Sequence, residues 1–137
     1  MPRLPNQGGA AAVEMAFTLL LLLWMAFGVI DIGRAIFTDI GLKEAAQASA
    51  HHFAFTEGAD GASAATVGAN STTTPSLVPG DFDVECHPIT RSSIPYGTVT
   101  VTATHDLDLI TPIVGAALGG SLELTETAEA ERYFSCP

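Results

Sequence analysis

Glu14 is the residue whose chemistry most needs a cause. It stands near the start of an apolar run over residues 10–30, AAAVEMAFTLLLLLWMAFGVI. A carboxylate in hydrocarbon costs at least roughly 3 kcal/mol unless it is protonated, paired or close to the interface. Cys86 and Cys136 are the two thiols. Both lie in the half of the chain that follows the apolar run, and an oxidising compartment would let them pair, tying the first strand of a distal domain to the carboxy terminus; two buried, reduced thiols are the alternative. His51, His52, His87 and His105 invite a metal reading. Adjacent histidines on a helix point about 100° apart, and no second histidine or cysteine stands at ligand spacing, so structural or surface roles are expected and no metal. The run Glu123, Glu126, Glu129 and Glu131 reads as the solvated face of a strand rather than a loose cation site. The sequence shows no phosphate-cradling glycine loop, nucleophile elbow or zinc-binding helix. The expectation is a protein that is not an enzyme and takes no cofactor.

The elements that must position these residues follow from composition and periodicity. The 137 residues leave room for one small domain after a membrane segment and a linker are set aside. Five basic residues among fifteen acids give a formal net charge of -10, which disfavours nucleic acid as a partner, because phosphate binding needs clustered cations. The apolar run has a length of about 31 Å as a helix, close to the roughly 30 Å hydrocarbon thickness of a bilayer. Residues 1–9, MPRLPNQGG, form a short polar leader whose Arg3 and amino terminus favour the cytoplasm. A cleaved secretory signal is the rival reading. Glu14, the length of the run and the absence of a clear small-x-small site after it argue against that reading.

Residues 10–32 are therefore expected as a transmembrane helix, and residues 33–55, rich in Ala and free of Pro, as its continuation outside the bilayer. Asp39 and Lys43 can pair at i, i+4 on that extension. Residues 56–80 are small and polar, and read as a flexible loop. Residues 81–137 read as a small antiparallel β domain. Phe82, Val84 and Cys86 alternate with polar residues over 81–90, turn signals follow over 92–97, and Val99, Val101 and Ala103 repeat the alternation over 98–109. In the last run, 121–134, Leu122, Leu124, Ala128 and Ala130 share one face, opposite Glu123, Glu129 and Glu131. The fold class is α+β: a long amino-terminal helix followed by an antiparallel sheet of about three strands.

Two end motifs carry a family likeness. Gly8, Gly9, Ala10, Ala11, Ala12, Val13 and Glu14, followed by the apolar run and then Asp31, Ile32, Gly33, Arg34 and Ala35, resemble the amino-terminal signature of TadE-like pseudopilins of the tight-adherence (Flp) pilus system. The stretch from Thr111 through Gly115 to Leu122 is similar to the carboxy-terminal connector and last strand of that family. The resemblance implies cutting of the leader between Gly9 and Ala10 by a prepilin peptidase on the cytoplasmic side, which makes Glu14 the fifth residue of the mature chain. A cut after Gly8 would make it the sixth. Met15 departs from the aromatic residue often found after that Glu. The resemblance further implies that Glu14 pairs with the free amino terminus of a neighbouring subunit, bringing together two charges that are costly alone and favouring one axial register.

Implied partners are the prepilin peptidase, other pilins and pseudopilins, the inner-membrane assembly platform and the lipid bilayer. The implied location is the inner membrane, single-pass, with the amino terminus cytoplasmic, the carboxy-terminal domain outside, and incorporation into a surface pilus as a further step. The function so implied is that of a minor pilin that primes or caps the pilus. The alternative is a membrane-anchored binding module that never enters a filament.

Overall fold

A computed structural model describes residues 8–89, 96–111, 115–116 and 119–136. Residues 1–7 of the expected 1–9 leader, most of the turn expected over 92–97, and much of the connector after Thr111 lie outside the described residues.

The helix α1 runs unbroken over Gly8–Phe55, 48 residues, or about 72 Å. No proline lies between Pro5 and Pro75 to interrupt it, and Ala and Leu dominate, so its ladder has no reason to stop at the membrane boundary. Its two halves differ in surroundings. Residues 9–27 are exposed throughout. From residue 31 on, one face is buried: Asp31, Thr38, Leu42, Ala45, Ala46, Ser49, Ala50, Phe53 and Ala54, at the three- and four-residue spacing of a helix stripe. The extension expected over residues 33–55 is thus the backbone of the distal domain.

The 56–80 segment corrects the expected flexible loop. It contains a second helix, α2, over Gly61–Ser71. Asp60 caps it: its Oδ1 accepts the Ser63 amide N–H at 2.8 Å, and the Ser63 hydroxyl oxygen accepts the Asp60 amide N–H at 3.1 Å. Small residues read as too weakly apolar to fix a fold, but Ala is the best helix former, and small residues let two helices approach closely. Ala64, Ala65 and Gly68 are buried against α1. A Cβ on Gly68 would lie 2.7 Å from Phe82 Cε1 and 3.0 Å from the Ala45 carbonyl oxygen. At Gly41 a Cβ would collide with the Thr74 carbonyl oxygen, so the chain leaving α2 crosses α1 where only glycine fits.

A short 3-10 turn, Pro79–Asp81, leads into β1, Phe82–Ile89. β2 covers Tyr96–Asp108 and β3 covers Ser121–Arg132. They form an antiparallel sheet in the order β1-β2-β3. Val101 stands opposite Val84 and Ala128, and Val99 opposite Cys86 and Ala130. The inward set of β2, Val99, Val101, Ala103 and Leu107, is buried against α1 together with Phe82. Thr98, Thr100, Thr102 and Thr104 occupy the other face. The α+β class and the three-stranded antiparallel sheet agree with the sequence reading.

Candidate functional site

The features that bear on function lie along α1. Its most apolar 18-residue window has a mean hydropathy of 2.2, so the helix is long and apolar enough to cross a membrane. Gly9 and Ala10 are in its first turn. Glu14 lies on the second turn, exposed. Its carbonyl oxygen accepts the Thr18 hydroxyl at 2.9 Å. Among the described residues no hydrogen bond or ion pair reaches its carboxylate. Val13, Phe17, Leu21 and Trp24 are exposed on the same segment, as a lipid-facing or bundle-forming surface requires.

Three polar fastenings hold the distal domain to α1. The first is Asp31, only 4 % exposed, whose Oδ1 and Oδ2 accept the amide N–H groups of Ile110 at 3.0 Å and Thr111 at 2.8 Å. Arg34 lies 3.5 Å from the same carboxylate and donates from Nη1 to the Asp108 carbonyl oxygen at 3.0 Å. Two unpaired amides at the end of β2 thereby gain charge-assisted acceptors. The second is Lys43, 3.1 Å from both Asp39 and Glu126. The pairing of Asp39 with Lys43 agrees with the sequence reading. Glu126 does not lie on the solvated acidic face, as expected, but on the inner face, because even-numbered residues of β3 point toward α1; Glu123, Glu129 and Glu131 are exposed.

The third fastening is Arg132, 2 % exposed, at the end of β3. Its guanidinium donates to the carbonyl oxygens of Phe53, Ala59 and Ser135 and lies 4.4 Å from the centre of the Phe53 ring. The Phe53 carbonyl is among the last of α1, where intrahelical donors run out and the helix dipole favours a cation. Arg132 was legible in principle, since its parity along the strand matches Leu124, Ala128 and Ala130.

Cys86 and Cys136 are joined in a disulfide with Cα atoms 5.7 Å apart, at the end of the sheet away from Asp31. The histidines are scattered. His51 packs on Phe55 with ring centroids 4.6 Å apart, His52 Nδ1 lies 3.4 Å from the Thr56 hydroxyl, and His87 lies 3.2 Å from Glu85 on the outer face of β1. His105 sits in β2 opposite Leu124. At the start of α2, the Ser63 amide, and then its hydroxyl, hold the Asp60 carboxyl below the ordinary carboxylate range.

Residues 9–51 match the model of a family described as TadE-like protein. The match begins at Gly9, takes in Glu14, Asp31 and Arg34, and ends within α1. No curated protein and no solved structure matches the chain.

Proposed function

We propose that the chain, whose residues 9–51 match a family described as TadE-like protein, is a minor pilin or pseudopilin of a tight-adherence pilus, a structural protein rather than a catalyst. The observation that carries the reading is Glu14: a carboxylate with no hydrogen bond or ion pair among the described residues, on the second turn of a helix able to span a membrane, inside the matched segment. In this reading a prepilin peptidase removes residues 1–9, and the new amino group of Ala10 on one subunit meets Glu14 of the next. Each charge supplies what the other lacks in an apolar bundle. The amino terminus faces the cytoplasm, and the sheet domain stands outside, where the Cys86–Cys136 bond persists. Its folded domain of two layers suits a subunit that primes or caps a pilus.

Leader removal tests this. Intact-mass measurement of protein extracted from membranes, with and without the peptidase, should give a chain beginning at Ala10 only when the peptidase is present. A chain beginning at Met1 in both cases would favour an anchored module that never enters a filament, and one lacking residues 10–30 would remove the membrane reading altogether.

A further inference from the structure

The Asp31 fastening fixes the height of the domain above the membrane. A hydrocarbon slab of about 30 Å entered near Ala10 is left near Asp31. The amides of Ile110 and Thr111 are bonded to the Asp31 carboxylate, so the end of β2 lies at that boundary with no stalk between. β2 then runs away from the membrane, which places the pairing of Ile89 with Tyr96 about 40 Å from its lower end. At the lower end Ile110 is 53 % exposed and Ile32, next to Asp31, 63 %, with the exposed Asp108 two residues back along the chain. The sequence carries no charge between Asp108 and Glu123. Arg34, partly exposed and bonded to the Asp108 carbonyl, stands one turn above Asp31, where a cation meets lipid phosphates.

We propose that this lower tip, Ile110 together with Ile32, is a lipid-contacting surface that seats the sheet domain on the outer leaflet. The proposal rests on the reading of α1 as a membrane span, and the occupant follows from continuity: Ile32 extends the exposed apolar surface of residues 10–30, and the amide of the exposed Ile110 is bonded to the adjoining Asp31. Single exposed apolar residues are ordinary on a protein surface. A patch held by hydrogen bonds at the level where hydrocarbon ends is not an ordinary place for them. The acidity of the domain means that contact depends on apolar insertion rather than on anionic lipid. Seating would restrict tilt and rotation of the domain before any partner arrives.

The full chain in phosphatidylcholine vesicles brominated close to the ester groups supplies the test. Trp24 is the single tryptophan. In a Trp24→Phe background, Ile110→Trp should give blue-shifted emission that loses most of its intensity in brominated vesicles, equally at low and high salt. Ile89→Trp, also exposed but at the far end of the sheet, should be unquenched. Each variant is first matched to wild type by far-ultraviolet dichroism. Quenching of Trp24 in the wild type with none at position 110 would keep the anchor and overturn the seated tip. Unquenched Trp24 would overturn the anchor and the tip together. Blue-shifted but unquenched emission at position 110 that fades as protein is diluted in lipid would give the patch to a second copy of the chain instead.

Discussion

Glu14 and Asp31 are two carboxylates on one apolar helix, and the chain treats them in opposite ways. Asp31 is buried and bonded to two backbone amides of its own chain, with Arg34 beside it. Glu14 lies exposed, with no such bond among the described residues. The difference follows from what lies alongside each. Among the described residues the polar contacts of the sheet domain reach down α1 as far as Asp31 and none meets the Glu14 carboxylate. A carboxylate satisfied within its chain stabilises a fold; in the proposed assembly Glu14 is the one that a second subunit satisfies.

The largest effect is expected where that contrast is broken at Glu14. Glu14→Gln keeps the shape and removes the charge, leaving a neighbour's buried ammonium without its counterion. Piliation should be lost, while leader removal, membrane abundance and the fold of the distal domain stay as in wild type. Cells lacking the native copy, scored for surface pili and for processed protein, give the answer. Normal piliation by normally processed mutant would sink the pairing mechanism while leaving the family match untouched.

Next in size is the disulfide, which acts far from both carboxylates. Closing a loop of sequence separation 50 should stabilise by about 4 kcal/mol through the unfolded chain. Cys86→Ser with Cys136→Ser should therefore lower the denaturant midpoint of the sheet domain markedly and leave the exposed amino-terminal half of α1 unchanged. Equal midpoints for the double variant and wild type would deny the bond a structural role.

Smaller and more local is the change at Asp31. Asp31→Ala leaves the Ile110 and Thr111 amides without their acceptor, and Asp31→Asn offers one carbonyl oxygen in place of two carboxylate oxygens. Hydrogen exchange at these amides should quicken most in the Ala variant and by an intermediate amount in the Asn variant. Exchange should hardly change at Val99 and Val101, in the middle of the core. Uniform quickening across the sheet would mean that Asp31 supports the whole domain rather than fastening its lower end.

The sequence disclosed the elements that announce themselves by period or length: the apolar run, its Ala-rich extension, and the alternation around Val84, Val99, Val101 and Leu124. It hid those that depend on proximity. The reading of residues 56–80 as a loop follows from the little bulk of Gly61, Ala62, Ser63, Ala64 and Ala65, yet Ala64, Ala65 and Gly68 pack on α1 around Ala45, and small against small is a close helix contact. Asp31 enters the sequence reading only through the family motif, since nothing local says that an amide eighty residues later will bond to it. Glu126 was grouped with its exposed neighbours although its parity differs. Arg132 carries the same parity signal. Glu14 could be singled out from sequence because its cost in lipid is a local property.

The smallest effect belongs to Asp60, and it sharpens the comparison by adding a carboxylate that is exposed but still satisfied within its chain. The Ser63 amide and hydroxyl lower its proton affinity in the folded state. A carboxyl whose folded value is depressed adds stability that is fully present above its unfolded value, about 4, and is lost as pH falls through the lower folded value. Acidification through that window should loosen the first turn of α2 before the sheet opens, read as faster amide exchange at Ser63 and Ala64. Asp31 can titrate at acid pH as well, so the control must remove only the charge at position 60. Asp60→Asn keeps an acceptor at the cap and should abolish the pH dependence of α2 while preserving its protection near neutrality, whereas Asp60→Ala should loosen the turn at every pH. If the Asn variant loosens under acid as the wild type does, the titrating group lies elsewhere, and the cap is a hydrogen-bonding device with no electrostatic part.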